Sequence, residues 1–323
     1  MQREDAIQKM NNYGEKGWPF FFLIDFLQKQ PEVILLKDIN TNNIQFRLPN
    51  YWIEKPSKTA TNSVFLQHKG YSQQAYCQQI EKVIRHIKRG DSFLVNLTCE
   101  TKITLNISLP ELYKLAKAKY KLLYNNQFVV FSPETFVTIN KGEIATYPMK
   151  GTIDATIPNA ATILLQSPKE KAEHYTIVDL LRNDLSLVAD NVRVTKFRYI
   201  EQIETDSGPL LQVSSEIKGD LPTDYTKKLG SIIFALLPAG SISGAPKDKT
   251  VAIIQEAETY QREYYTGIFG VFDGQRLDSA VMIRFIQKTA DGFVYKSGGG
   301  ITAFSKIDEE YQEMLKKIYV PIN

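Results

Sequence analysis

The residues in this sequence best suited to chemistry fall into four sets. The hexapeptide Tyr147-Pro-Met-Lys150-Gly151-Thr152 puts an amine just past a predicted strand and before a glycine that lets backbone approach a ligand closely. Such an amine is a nucleophile once unprotonated, although a lysine in a turn is by itself usually a solvated charge. Two carboxylate doublets, Glu170-x-x-Glu173 and Glu310-x-x-Glu313, each set two acids on one face of a predicted helix. Either alone reads as a wet surface. If the four acids converged they would repel strongly unless a divalent cation neutralised them, and all-oxygen ligation points to Mg²⁺. Two glycine-rich stretches, Ala239-Gly-Ser-Ile-Ser-Gly244-Ala-Pro-Lys247 and Lys296-Ser-Gly298-Gly-Gly300-Ile-Thr302, suit anion binding by backbone N–H groups, or are tight turns and nothing more. Neither fits the Walker pattern, since Asp248 follows Lys247, and there is no dinucleotide fingerprint. Arg284, flanked by Ile283 and Phe285 on a predicted strand, must face solvent or meet a buried anion, and with Tyr265 it can clamp a carboxylate.

Positioning these groups falls to elements legible as periodicity. From Tyr71 onward, Tyr76, Ile80, Val83, Ile84 and Ile87 share one helical face, with Gly90 as a stop. Leu94 to Leu105 alternates like a strand, and Ser108-x-x-Glu111 has the spacing of a capping box. Consecutive strands are expected around an Asn140-Lys-Gly142 turn. A long helix capped by Ser167 and Pro168 is expected to run to Ala189. Further helices are predicted near Tyr225–Leu237, after Pro246 and over Asp308–Ile318, with turns at Asp273-Gly274 and Asp291-Gly292. Strict strand–helix alternation is absent, so the fold class is α+β with antiparallel sheets flanked by helices.

Composition bounds the rest. With 323 residues, 43% hydrophobic content and no linker-like stretch, a single domain over residues 1–323 is expected, residues 1–70 forming a short strand-rich N-terminal segment. A net charge of +3 with scattered lysines lacks the basic stripe of a nucleic-acid binder. The longest apolar run, Phe20 to Leu27, is broken by Asp25 and too short to span a bilayer, so no membrane partner is expected. Cys77 and Cys99 have no metal or disulfide spacing and the N-terminus is polar, which points to a cytoplasmic protein with reduced thiols.

Taken together and in order, Ser-Pro-Glu134-Thr-Phe, Pro-Met-Lys150-Gly-Thr, EHYTIVDLLRNDL, GSISGAPK, Arg262-x-x-Tyr265-x-Gly267, Ile-Arg284-Phe, GGGIT and EYQEMLKK resemble the chorismate-utilising enzyme family of anthranilate, aminodeoxychorismate, isochorismate and salicylate synthases. The resemblance covers roughly residues 75 to 320. It implies two packed, mainly antiparallel sheets surrounded by helices, chorismate as substrate and Mg²⁺ on the ring carboxylate. Members that make aminodeoxychorismate carry lysine in the PxKGT motif, where anthranilate synthases usually carry alanine. The resemblance thus implies that Lys150 adds to ring C2 as the C4 hydroxyl leaves, and that ammonia then attacks C4 and expels the lysine. For that, burial or a nearby cation must bring Lys150 down from its reference pKa of about 10.4.

By the same matching, Glu134 is the general acid for the departing hydroxyl. Glu173 and Glu313 would ligate Mg²⁺ with Glu170 and Glu310 behind them, while Tyr265, Arg284, Gly298 and Gly300 would take the enolpyruvyl carboxylate. Gly151, Thr152, Ser241, Gly244 and Lys317 would complete the pocket, and Asp179, Arg182 and Asp184 would form an ion-pair network orienting the metal-bearing helix. Leu94 stands where relatives often have glutamine or lysine, against a water-activating lysine, and Gln212 stands where many have a histidine tied to pyruvate elimination, so the product is expected to keep its enolpyruvyl group. With two cysteines and only His68, His86 and His174, the chain lacks glutaminase machinery, and ammonia is expected from a glutamine amidotransferase subunit or from solution. The rivals are anthranilate synthase component I chemistry and a non-catalytic chorismate-binding relative.

Overall fold

The computed structural model describes residues 1–56, 64–205 and 208–322. Its chain passes five times between two antiparallel sheets. Strands β1 (Phe20–Ile24) and β2 (Glu32–Leu35) start the first sheet. The second takes β3 (Ile44–Leu48), β4 (Tyr51–Ile53), β5 (Leu66–His68), β6 (Leu94–Leu105), β7 (Tyr120–Tyr124) and β8 (Phe128–Ser132). The chain returns to the first with β9 (Thr135–Asn140), β10 (Glu143–Thr146), β11 (Met149–Asp154), β12 (Asp190–Thr205) and β13 (Gly208–Asp220). After β14 (Gly244–Ala245) on the edge of the second, β15 (Ile268–Phe272) and β16 (Arg276–Val281) rejoin the first, and β17 (Phe285–Thr289) and β18 (Gly292–Ile301) finish the second. The orders are β11-β13-β10-β9-β16-β15-β1-β2, with β12 beside β13, and β14-β6-β18-β17-β8-β7-β3-β4, with β5 beside β6.

Helices α1 (Arg3–Glu15), α2 (Gln73–Lys88), α3 (Leu109–Leu115), α4 (Ala160–Gln166), α5 (Pro168–Leu185), α6 (Leu229–Ala235), α7 (Lys247–Ala257) and α8 (Ile307–Lys316) surround the sheets. The apolar run of β1 explains itself in this frame. Phe20, Phe22 and Ile24 pack into the large core shared with the helices, while Phe21 and Leu23 point into the core between the sheets with Phe46, Leu122 and Phe128. A strand covered on both faces has no polar positions to spare.

The α+β expectation is met, and so are several local ones. The α2 face is buried at Tyr76, Ile80, Val83 and Ile87, and Ser108 and Glu111 form both halves of the capping box. Asn140 pairs with Glu143 across a two-residue loop with Lys141 at φ 51° and Gly142 at φ 82°, the left-handed geometry that matches strand twist. Two expectations are corrected. The strand-rich opening segment begins with α1, whose buried seam is only Ala6, Met10 and Gly14, too small to register as an apolar stripe. The long helix stops at Leu185, where the amides of Leu187 and Val188 bond three residues back, to Asp184 and Leu185, and close its last turn before β12.

Candidate active site

A cavity of about 1070 Å³ opens where both sheets meet α5 and α8. Its wall from the first sheet is irregular backbone. Lys150 does not lie past a strand, as the sequence suggests, but within β11, at a bulge between Lys150 and Thr152. Gly151 makes that bulge possible: it sits at φ 75°, and a Cβ there would lie 2.6 Å from Glu170 Oε2. The helix carrying the first acid doublet therefore packs directly on the lysine-bearing bulge. Lys150 faces the cavity with its side chain 30% exposed, and its Nζ lies 3.6 Å from Glu173 Oε2. The expectation of a buried amine is thus corrected to a half-buried one, because the bulge projects the side chain into open space.

Glu134 sits in the short link between β8 and β9. Its N–H donates to Ser132 Oγ at 3.1 Å and its carbonyl accepts from Val281 N, so the backbone is fixed from two sides. Ser241 Oγ donates to Glu134 Oε1 at 2.5 Å. Burial pushes the carboxyl above its ordinary range, outweighing Ser241 and the opposing pull of Lys150, Arg284 and Lys317. A carboxyl shifted in this direction holds a proton more readily than an exposed one, which is what a general acid needs.

The second sheet contributes Gly298, Gly299 and Gly300 of β18 and Leu94 and Asn96 of β6, all on the cavity wall. Lys317, at the end of α8, donates to Gly298 O at 2.7 Å and pairs with Glu313 Oε1 at 2.8 Å. Burial lowers its hold on a proton, against Glu313. Arg284 is corrected from a strand position to a bend at φ 53° just before β17, where the chain crosses from one sheet to the other. The crossing turns its guanidinium to the cavity, 5.0 Å from the Tyr319 ring, and its Nε has no hydrogen-bond partner.

Of the other expected residues, Thr152, Ser241 and Tyr265 line the cavity with Gly151. Gly244 does not. It pairs with Val95 at φ 133°, and a Cβ would strike Leu94 O at 1.8 Å, so it serves the joining of β14 to β6. Asp179 and Arg182 bond each other at the surface, whereas buried Asp184 pairs with Lys247 at 2.9 Å, pinning α5 to the start of α7. The expected network is therefore two separate pairs. Sequence reading passes over Asn96 and takes Lys296 only as the start of a glycine-rich stretch, yet both are on the wall. Asn96 Oδ1 is buried without a partner, and Lys296 is a lysine only 2% exposed whose pKa burial lowers. A polar residue inside the otherwise apolar Leu94–Leu97 run was the available signal.

The implied Mg²⁺ can be tested against the donors present. Glu170, Glu173 and Glu313 line the cavity, and Glu310 lies behind, accepting from Ser305 Oγ at 2.8 Å. Among the described residues no group of three or more His, Cys, Asp or Glu is gathered as a ready cage. The donors are nevertheless all oxygen and come from two helices. That suits an ion which takes one or two carboxylates and fills its octahedron with water and ligand oxygens. Glu173 and Glu313 are the residues that would hold it.

Two sheets around a cavity that combines a strand-borne amine, a buried carboxyl of raised pKa and acids from two helices form a site suited to a small anionic molecule. The chain belongs to the chorismate binding enzyme family, whose model matches residues 29–323. It is 50% identical over 322 residues, 98% of each chain, to an uncharacterized PabA-like protein of Pasteurella multocida (strain Pm70). It is 32% identical to aminodeoxychorismate synthase component 1 and 30% identical to anthranilate synthase component 1, both of Bacillus subtilis (strain 168). Those alignments take in 77% and 76% of this chain but only 55% and 50% of the two synthases. Among solved structures, anthranilate synthase component I of Streptococcus pneumoniae TIGR4 superposes with a TM-score of 0.67 at 26% identity, over 82% of this chain and 62% of that one. The menaquinone-specific isochorismate synthase MenF of Escherichia coli shares the fold, with a TM-score of 0.72 at 16% identity over 97% and 80%. No helix among the described residues is long and apolar enough to cross a membrane.

Proposed function

We propose that this protein replaces the C4 hydroxyl of chorismate with an amino group, giving 4-amino-4-deoxychorismate, with Lys150 as nucleophile and Glu134 as general acid. The observation that carries the reading is that one cavity holds both the Lys150 amine and a buried carboxyl whose pKa burial raises, near enough for the two to feel each other's charge. In this reading the amine attacks C2 while Glu134 protonates the departing hydroxyl. Ammonia then attacks C4 and the amine leaves, so two displacements preserve configuration. Arg284, Tyr265 and the backbone amides of Gly298 and Gly300 receive the enolpyruvyl carboxylate; the unpartnered Arg284 Nε supports that role. Bound Mg²⁺ would supply Lewis-acid neutralisation of the ring carboxylate. Leu94 puts apolar surface where water would need activation, which supports amination over hydration. Ammonia comes from a glutamine amidotransferase partner.

The test incubates the protein and Lys150→Ala with chorismate, Mg²⁺ and ammonium, with products separated by mass. The reading requires aminated product from the wild type only, and a Lys150 adduct with the mass of chorismate less water. Fluorescent anthranilate formed without an added lyase would overturn it in favour of anthranilate synthesis.

A further inference from the structure

Each acid doublet meets a lysine, and the two meetings differ. Lys317 touches Glu313 at 2.8 Å and also donates to Gly298 O, so it is held from two sides. Lys150 lies 3.6 Å from Glu173, beyond hydrogen-bonding distance, in a charge pairing without a directional bond. It projects from a bulge into a cavity of about 1070 Å³, with room to swing. The other charged groups that bear on this corner are Glu134, Glu170, Glu313, Arg284 and Lys317.

We propose that Lys150 is the built-in counter-ion of Glu173 and that a divalent cation arriving at Glu173 displaces it, so that loading the cation and freeing the amine for substrate are one event. The inference rests on the functional reading above for the use of the freed amine, but not for the exchange itself. One carboxylate charge is neutralised by an ammonium or by a metal ion, and the two compete for the same charge. A protein with the ammonium in place must break that pairing before it binds the ion, which weakens the apparent affinity. Once displaced, Lys150 is repelled by the cation, and the cavity it faces leaves it room to turn toward a bound ligand. Because binding couplings are reciprocal, substrate that engages Lys150 would also tighten the cation.

The experiment measures Mn²⁺ binding to the full chain by electron paramagnetic resonance of the free ion, without chorismate, so no chemistry is read. Lys150→Met, which keeps the length and removes the charge, is expected to bind Mn²⁺ about tenfold more tightly than wild type. Lys150→Arg is expected to stay near wild type, and Glu173→Gln to lose most of the binding. Thermal melts establish that each variant is folded. Equal or weaker binding by Lys150→Met, or undiminished binding by Glu173→Gln, overturns the exchange. A wild type that makes anthranilate while Lys150→Met still tightens Mn²⁺ would sink the functional reading and leave the exchange standing.

Discussion

The two sheets meet the cavity in different ways. The first presents Glu134 and Lys150 where its strands are irregular, one in a link between strands and one at a bulge. The second presents β18, paired with β6 without interruption from Phe293 opposite Ile103 to Ile301 opposite Val95, and shows the cavity three glycines in a row. The contrast separates aiming from cradling. A reacting side chain needs a direction that a regular pleat does not give, so its strand must depart from the ladder. A carboxylate needs close backbone, and for that a regular strand stripped of side chains suffices.

The sharpest way to break this division is at the groups proposed to react. Lys150→Ala should lower aminated-product formation by about 10³-fold or more, and Glu134→Gln by about 10²- to 10³-fold, read as initial rates by chromatography. A general acid with a raised pKa works only below that pKa, so wild-type activity should fall as pH rises through it, and that limb should vanish in Glu134→Gln. Arg284→Lys, on the recognising side, should instead raise KM for chorismate by about tenfold with kcat nearly kept.

Stability measurements extend the comparison. Asp184→Ala leaves Lys247 without its buried partner and should cost about 3 kcal/mol in urea unfolding. On the same helix, His174 is buried, bonds Ser215 Oγ at 2.7 Å, and is pushed down by burial from 6.5 to about 4. A depressed folded-state pKa gives stability that is present above 6.5 and lost as pH falls toward 4. That loss should reach about 3 kcal/mol at most and should disappear in His174→Gln. Smallest is the glycine pair. Gly151→Ala forces an alanine to φ 75° against Glu170 and should cost about 1–3 kcal/mol, whereas Gly299→Ala meets only the side-chain ends of Lys317 at 3.4 Å, Glu313 at 3.5 Å and Glu310 at 3.7 Å, ordinary contacts, and should stay within about 0.5 kcal/mol. Equal costs would erase the distinction between a strained sheet and a regular one.

What could be read without coordinates follows the range of the signal. The α2 stripe, the Ser108 capping box and the Asn140–Glu143 hairpin are written within a few residues of themselves and appear as expected. The positions of Lys150 and Arg284 depend on a bulge against β13 and on a crossing between sheets, and neither leaves a local pattern. Gly244 reads as a ligand residue because a glycine-rich loop looks the same whether backbone approaches a substrate or Leu94 O. Asn96 leaves no periodic signal, and Lys296 is legible only as part of a glycine-rich stretch, because polar residues within strands have no period of their own.

The passage of the chain back and forth between sheets also governs how the protein is made. Phe20–Ile24 finds its neighbour in Ile268–Phe272, and β6 finds its own in β18. At ribosomal speeds the first of these strands waits roughly 10 to 50 s for its partner to be synthesised. Throughout that interval a strand of five consecutive large apolar side chains has β2 on one edge and no native neighbour on the other, which makes this stretch a natural client of a chaperone and the first suspect in any inclusion body.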